Sequence, residues 1–322
     1  MYYTVRHVTR FRYSAPIAES IMEVRIQPRS EGLQRCLDFR LSTSPKAQIM
    51  SYRDALSNRV HHFDVPNRHT HLTITAESIV EVTPFPSLPE ALAPSAWDTL
   101  DALTADDRYW DMLKPSHFIQ PSKLLDDLIA ELDIKRRDDP LTLLSEISKA
   151  IYENFEYAKQ NTRVDSPIDD ALSIRRGVCQ DFAHIMIALA RELRIPCRYV
   201  SGYLFQQADK HERSSDGATH AWVEALLPDL GWVGFDPTNN ILARERHIRV
   251  AVGRDYSDVP PTRGTFRGKA ESELSVAVRV YPTETPPPSA DLSLEAKWLP
   301  GMIEGYEYED GMSRQQPQQQ QQ

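Results

Sequence analysis

The sequence predicts an α+β protein in which a β-rich N-terminal domain precedes a mixed core. Three observations support this prediction. Bulky β-formers alternate with polar residues over residues 1–85, and apolar residues recur at helical spacing over residues 96–157. Residues 175–240 then combine one patterned helix with several short strands. At 322 residues, the chain has room for about two domains.

The N-terminal pattern is typical of a sandwich or barrel of short strands. Alternation is clearest in Tyr3–Tyr13 and continues in Ile17–Pro28. Turn signals separate further candidate strands, at Leu37–Ser42, Gln48–Asp54, Arg59–Val65 and His71–Val82. We expect residues 1–85 to form a β-sandwich-like domain, which the prolines of Thr83–Pro89 end. No chemistry is evident in this domain.

Residues 86–285 are expected to form the second domain, the core together with its preceding helices. Asp139-Pro140 is typical of a helix start. A late strand is expected at Ser272–Tyr281, where apolar residues alternate, and this strand can join a sheet formed earlier. Residues 286–322 are rich in Pro, Glu and Gly and end in a glutamine run, so we expect a disordered tail.

Composition argues against several classes of protein. The 37 basic and 46 acidic residues give a net charge of −9, which argues against a dedicated nucleic-acid binder. The first residues lack the apolar run of a secretory signal, and no stretch approaches the roughly 18 apolar residues of a membrane helix. The three cysteines do not indicate a disulfide framework. We therefore expect a cytoplasmic protein without membrane or nucleic-acid partners; its oligomeric state is not indicated.

Cys179 is the candidate nucleophile. It lies two residues after Gly177 and begins a helix whose apolar positions recur from Phe182 until Pro196 ends the pattern. Backbone N–H groups and the helix dipole at a helix N-terminus stabilise a thiolate, which is the reactive form of cysteine. The same N–H groups can hold a developing oxyanion.

His220 and Asp236 are the candidate base and its orienting group. They lie in two strand-like runs, Thr219–Ala225 and Trp232–Asp236, which the turn signal at Pro228–Gly231 joins as a hairpin. A hairpin can bring the two side chains together. A thiol needs an imidazole to take its proton, and the imidazole needs an acceptor on its other nitrogen.

Three motifs resemble one known family. Gly177–Asp181, Thr219–Glu224 and Trp232–Thr238 are similar to the core of the transglutaminase-like cysteine-enzyme superfamily. The β-rich start and the segment Gly253–Pro261 resemble bacterial members, so the likeness covers about residues 1–280.

The resemblance implies a papain-like α+β core with Cys179 as nucleophile, His220 as base and Asp236 as orienting group. It does not imply cross-linking, because bacterial relatives include peptidases and proteins of unassigned activity. Each of the three residues also has a structural interpretation, as a buried thiol, a core histidine and a turn residue. Cys36 and Cys197 are expected to be structural.

Other polar residues receive weaker assignments. Asp181 is expected to be a structural carboxylate at the helix N-terminus, and His184 to point away from the thiol. Relatives use a side-chain oxyanion donor upstream of the nucleophile; Tyr157 or Asn154 is a candidate, and a packed helix end is an equal alternative. We expect no metal site and a solvated surface for the histidine cluster of His61, His62, His69 and His71.

These inferences predict thiol-dependent acyl transfer on amide bonds of a peptide or protein substrate, with no cofactor and no metal. If water resolves the thioester, the enzyme is a peptidase or amidase; if an amine resolves it, the enzyme is a transglutaminase. We favour hydrolysis, because water is always present and no acceptor site is visible. A non-catalytic peptide-binding module remains the alternative of a different class.

Overall fold

The computed structural model describes residues 1–105, 107–159, 164–207, 212–214, 217–283 and 285. Helices and strands both occur in it, and the α+β prediction is confirmed. The N-terminal strands are β1 (Tyr2–Ile17), β2 (Glu19–Val24), β3 (Gln34–Ser44), β4 (Met50–Arg53), β5 (Arg59–Val65) and β6 (His69–Val82). The predicted tail, residues 286–322, lies outside the described residues.

Helices and a second group of strands follow. The α-helices are α1 (Ala96–Thr104), α2 (Lys123–Glu131), α3 (Pro140–Asn154), α4 (Ile168–Ile174) and α5 (Cys179–Glu192), with 3₁₀ turns at Asp107–Met112 and Tyr256–Asp258. The later strands are β7 (Glu156–Tyr157), β8 (Arg176–Gly177), β9 (Cys197–Leu204), β10 (His220–Leu227), β11 (Gly231–Asp236), β12 (Ile241–Ala243), β13 (His247–Gly253), β14 (Thr262–Arg267) and β15 (Ser272–Thr283).

The first compact unit, called here the sandwich unit, contains residues 1–83 and 261–283. Over its described residues it has two antiparallel sheets, in the strand orders β15-β1-β6-β3 and β14-β2-β5-β4. One buried cluster takes side chains from both sheets, for example Phe11 and Leu72 from the first and Phe63 from the second. The expected β-sandwich-like domain is therefore present, because the apolar faces of the two sheets bury one another.

The sandwich unit takes strands from both sides of the core in sequence. β15 pairs with β1, with Val8 opposite Ala277, and β14 pairs with β2. The expected late strand is therefore found, and it does join an earlier sheet. The sequence-based division assigned residues 86–285 to the core, whereas residues 262–283 pair with the sandwich strands. The reason is physical, since β1 would otherwise present a long unpaired edge.

The second unit, called here the core unit, comprises most of residues 84–260. Its antiparallel sheet has the order β12-β11-β10-β9-β13. Helix α5 packs on β9 and β10, and α3 packs on α5. Strands β9 and β10 are buried along their whole length, so helix and sheet together form the hydrophobic core.

Local sequence signals explain how the core helices start. Asp139 Oδ1 accepts hydrogen bonds from the backbone of Leu141 at 2.9 Å and Thr142 at 3.2 Å, and Pro140 occupies the first turn of α3. The predicted start at Asp139-Pro140 is thus confirmed, because an acidic cap satisfies N–H groups that the helix leaves open. In the ranges that the structure describes, no helix is long and apolar enough to cross a membrane.

Candidate active site

Helix α5 begins at Cys179, as the apolar pattern predicted. The carboxylate of Asp181 folds back and accepts a hydrogen bond from the Val178 backbone N–H at 2.8 Å. This confirms the structural role expected for Asp181, since the contact fixes the first turn of the helix. The Cys179 side chain is half-buried at that turn.

Gly177 directly precedes the N-cap residue of α5. It lies in the short strand β8, which pairs in parallel with β7. A Cβ atom at this position would lie 2.6 Å from Asp181 Oδ2. Glycine is therefore required because the capping carboxylate approaches the backbone closely.

His220 and Asp236 come from the paired strands β10 and β11, as the hairpin prediction stated. His220 Nε2 lies 2.8 Å from Asp236 Oδ2, and both side chains are buried. The His220 side chain also lies close enough to Cys179 for the thiol to affect its pKa. Because Nε2 faces Asp236, Nδ1 is the ring nitrogen left for the thiol. The three residues singled out in the sequence therefore meet, while their catalytic roles stay a prediction.

The electrostatics of this trio depend on the carboxylate. Burial lowers the pKa of His220, but the charge and hydrogen bond of Asp236, with contacts to Cys179, outweigh it and raise the pKa to about 10. Burial by itself would raise the pKa of Asp236. The neighbouring His220 and His247 more than offset this effect and hold the pKa of Asp236 well below its usual range. At neutral pH the imidazole is thus protonated beside Cys179.

Two partners of Asp236 were missed in the sequence. His247 Nε2 lies 3.1 Å from Asp236 Oδ2, and Asn239 Nδ2 donates to the same oxygen at 2.8 Å. Asp236 Oδ1 accepts from the backbone N–H groups of Thr238 at 3.0 Å and Asn239 at 3.3 Å. Asn239 is close to the Asp-Pro-Thr motif and could have been considered. No local signal marks His247, because its position depends on the pairing of β13 with β9.

Trp222 encloses the histidines. Its indole is fully buried, with ring centroids 6.2 Å from His220 and 5.1 Å from His247. A Cβ atom at Gly202 would lie 2.5 Å from the Trp222 ring. The missing side chain at Gly202 therefore makes room for an aromatic wall that keeps water from the imidazole–carboxylate contacts.

The ligand atoms of His220, Asp236 and His247 all lie within 4.8 Å of one another, a spacing that a transition metal ion accepts. The same side chains are also joined by hydrogen bonds, because both imidazoles contact the Asp236 carboxylate.

The histidines singled out in the sandwich unit do not form one cluster. His69 Nε2 contacts Ser20 Oγ at 3.2 Å, whereas His61 packs against Phe39. His61 and His69 are buried, so the solvated surface expected for them is wrong.

The two oxyanion candidates differ in position. The amide of Asn154 is exposed and donates to the Ala150 carbonyl at the end of α3, which is the packed helix end considered as the alternative. Tyr157 lies in β7 directly opposite Gly177. Of the two, Tyr157 is therefore the one next to the start of α5.

Two further candidates from the sequence, His184 and Cys197, lie outside the trio. The Nε2 atom of His184 accepts a hydrogen bond from the Tyr256 backbone N–H at 3.1 Å, which is a structural contact. Cys197 is buried, and burial raises its pKa to about 12, as suits a structural thiol.

A cleft of about 710 Å³ runs along β7 and β8, lined by residues that include Phe155, Tyr157 and Arg176. Since β8 ends two residues before Cys179, this cleft is a candidate path for substrate.

Both units of the chain are similar to known protein families. The profile of the bacterial transglutaminase-like N-terminal region matches residues 3–81, and that of the transglutaminase-like superfamily matches residues 130–237. An uncharacterized protein from Mycobacterium leprae is 33% identical over 279 residues, which are 86% of this chain and 97% of that protein.

Two further likenesses extend the comparison. A protein-glutamine γ-glutamyltransferase from Pseudomonas aeruginosa is 27% identical over 192 residues, which are 56% of this chain and 27% of that enzyme. Among solved structures, a candidate cysteine protease from Cytophaga hutchinsonii gives a TM-score of 0.69 at 23% identity. The alignment covers 89% of this chain and 93% of that one, which shows a common fold.

Proposed function

The chain belongs to the transglutaminase-like superfamily, and on that basis we propose that it is a cysteine-dependent acyl-transfer enzyme acting on amide bonds. One observation carries the proposal. The His220 ring contacts the Asp236 carboxylate at 2.8 Å and lies close to Cys179 at the start of α5. This arrangement supports the roles of nucleophile, base and orienting group.

In the proposed reaction, the Cys179 sulfur attacks the carbonyl carbon of an amide. The protonated His220 beside it favours the thiolate, and backbone N–H groups at the start of α5 donate to the developing oxyanion. When the intermediate collapses, the C–N bond breaks and His220 gives its proton to the departing amine. A thioester remains on Cys179. Water then attacks the thioester and passes a proton to His220. The C–S bond breaks, which frees the carboxylic acid and restores the thiolate beside the protonated His220.

Hydrolysis is the outcome that we favour, which makes the protein a peptidase or amidase. Water needs no dedicated binding site, and the cleft along β7 and β8 is open to solvent. Amine transfer is the second candidate, supported by the likeness to the Pseudomonas aeruginosa γ-glutamyltransferase. In that case a primary amine attacks the same thioester.

A peptide library, incubated with and without a primary amine and read by mass spectrometry, separates the outcomes. Hydrolysis of a peptide bond gives two fragments whose summed mass exceeds that of the peptide by one water. Transfer to glutamine gives a product carrying the amine with loss of ammonia. Products of both kinds that depend on Cys179 would identify an enzyme with both activities.

A binding module that retains these residues without turnover is the competing class. Cys179→Ala should abolish product formation in the library assay and leave the far-UV circular dichroism unchanged. Cys197→Ala serves as the matched control, because this thiol is buried away from the trio and its loss should preserve activity. Equal product formation by the Cys179→Ala variant would refute the mechanism. A cytoplasmic location is also our proposal, resting on the sparse, unpaired cysteines.

A further inference from the structure

The Asp236 carboxylate is held from several sides, and this arrangement points to a role for His247. Oδ2 is shared by His220 at 2.8 Å, His247 at 3.1 Å and the Asn239 amide at 2.8 Å. An ionised carboxylate only accepts hydrogen bonds. Each imidazole must therefore present an Nε2–H to it, which fixes the tautomer of both histidines when they are neutral.

The two histidines differ in what lies beyond the carboxylate. His220 reaches Cys179, whereas His247 lies at the start of β13, on the far side of β9 from β10. Burial, with the nearby charges of His220 and Arg246, keeps the pKa of His247 below its ordinary value despite Asp236. His247 is thus a neutral donor at neutral pH, while His220 carries the proton used in the chemistry.

A carboxylate on a single-bonded stem rotates easily, because its last torsion has a broad energy minimum. The backbone N–H groups of Thr238 and Asn239 anchor Oδ1, and His247 and the Asn239 amide anchor Oδ2. His247 approaches from β13, a different strand from the one that carries Asp236. Its contact therefore orients the Oδ2 lone pairs towards His220 in a way that the Asp236–Asn239 turn alone does not.

We propose that His247 is a positioning residue for the acyl-transfer reaction: its Nε2–H holds Asp236 so that the carboxylate orients and charges His220. This inference rests on the proposed function and adds a fourth side chain to it. His247 itself contacts neither substrate nor thiol. Trp222, packed edge-on at 5.1 Å, keeps the His247 ring in place.

The test compares two substitutions at one position. His247→Leu keeps apolar volume but removes the donor, whereas His247→Gln retains an N–H at a similar distance from the backbone. Thiol acylation is followed as release of p-nitrophenol from p-nitrophenyl acetate. We expect His247→Leu to lower kcat about 10- to 100-fold with KM changed less than about twofold. The alkaline limb of the pH profile, where kcat falls as pH rises, should move to lower pH in His247→Leu. The reason is that a mobile Asp236 holds the proton on His220 less firmly.

His247→Gln should recover most of kcat and return the limb to its wild-type position. Ile248→Val is the matched control on the neighbouring buried residue, and it should change the melting temperature without moving the limb. A folded His247→Leu protein with wild-type kcat and pH profile would overturn the proposal. Equal losses in the Leu and Gln variants, following a lowered melting temperature, would assign His247 to packing and overturn it too.

Failure of the proposed function gives a distinct result. If wild-type protein and Cys179→Ala release p-nitrophenol equally, the acyl-transfer proposal fails. The positioning role is then read without turnover, from the imidazole N–H proton resonance of His220. That resonance should broaden or shift upfield in His247→Leu and persist in His247→Gln; a resonance unchanged in both variants would reject the role.

Discussion

Two buried histidines, one in each unit, have pKa values that are shifted in opposite directions. In the sandwich unit, burial lowers the pKa of His7 to about 4, and burial with the charge of Arg59 does the same for His61. In the core unit, burial also disfavours the charged form of His220, yet Asp236 and Cys179 raise its pKa to about 10. At His220 the Asp236 carboxylate and Cys179 outweigh the effect of burial, whereas at His7 burial sets the direction of the shift.

Removing the Asp236 carboxylate should abolish the difference between His220 and His7, and it should have the largest effect on kcat. In Asp236→Asn, His220 should titrate below its ordinary pKa, as His7 does, and kcat should fall by up to about 10⁴-fold, the loss known for serine triads. A thiol enzyme is expected to lose somewhat less, because a thiol ionises far more readily than a serine hydroxyl. NMR titration of His220 and steady-state kinetics measure both effects.

A second buried carboxylate provides the control for that prediction. Asp255 accepts hydrogen bonds from the backbone N–H groups of Phe118 and Ser257, each at 2.8 Å, and neither residue belongs to the trio. Asp255→Asn should lower the melting temperature and retain kcat. If Asp236→Asn kept wild-type kcat, Asp236 would be a turn residue and the two carboxylates would be equivalent.

Cys36 of the sandwich unit and Cys179 of the core unit should also differ, in their rate of alkylation. Burial, together with Asp38, raises the pKa of Cys36 in the sandwich unit to about 11. At pH 8 only about one thiol in 10³ is then ionised, so iodoacetamide should label Cys36 about 1000-fold more slowly than an ordinary ionised thiol. Peptide mapping should find Cys179 labelled first. Equal labelling of Cys36 and Cys179 would contradict the assignment of one reactive thiol.

The sandwich unit should lose stability in acid. His7 is neutral when folded and protonates near its ordinary pKa of about 6.5 when unfolded, so the unfolded chain binds the proton first as pH falls from about 6.5 to about 4. The loss amounts to about 3 kcal/mol. Hydrogen exchange of the β1 amides at pH 7 and pH 4.5 measures it. His7→Gln should remove the His7 share of this dependence and leave the share of His61, whereas the exposed His71→Gln should leave it unchanged.

His220 should give the opposite pH dependence in the core unit. Its folded pKa lies above the unfolded value, so its stabilisation is present below about pH 6.5 and is lost as pH rises to about 10. Exchange of the β10 amides should therefore accelerate towards alkaline pH more in the wild type than in His220→Gln. An identical acceleration in both would show that His220 is not charged in the folded protein.

Glycine substitutions should have the smallest effects and again separate the units. In Gly177→Ala, the new methyl group displaces the Asp181 carboxylate, which should cost about 1–2 kcal/mol of helix capping and slow Cys179 alkylation severalfold. Gly264→Ala is the matched change in the sandwich unit, where the methyl group meets Met22 and the Ile21 carbonyl. It should lower the melting temperature of that unit and leave alkylation unchanged.

Features that depend on neighbouring residues in the chain could be predicted from the sequence. The start of α5, the hairpin of β10 and β11 and the cap at Asp139 all follow from local patterns. The meeting of His220 and Asp236 follows as well, because two strands joined by a tight turn must pair.

Features set by strand order could not be predicted in this way. The partner of β15 and the position of His247 depend on which strands become neighbours across long stretches of chain. The roles of Gly177 and Gly202 could not be predicted either, since each makes room for a side chain that only the folded structure brings close. The burial of His61 and His69 likewise depends on how the two sheets face each other.

The pairing of β15 with β1 has a consequence for the order in which the protein is made. About 200 residues separate the end of β6 from the end of β15. At a ribosomal rate of about 5–20 residues per second, the first strands wait roughly 10–40 s for their last partner. During that time the β1 edge is open on the nascent chain while the intervening residues, the core unit, are synthesised. We therefore expect chaperones that recognise unpaired strands to bind the nascent chain during this interval. A deletion of residues 1–87 would leave β14 and β15 permanently without their partner strands.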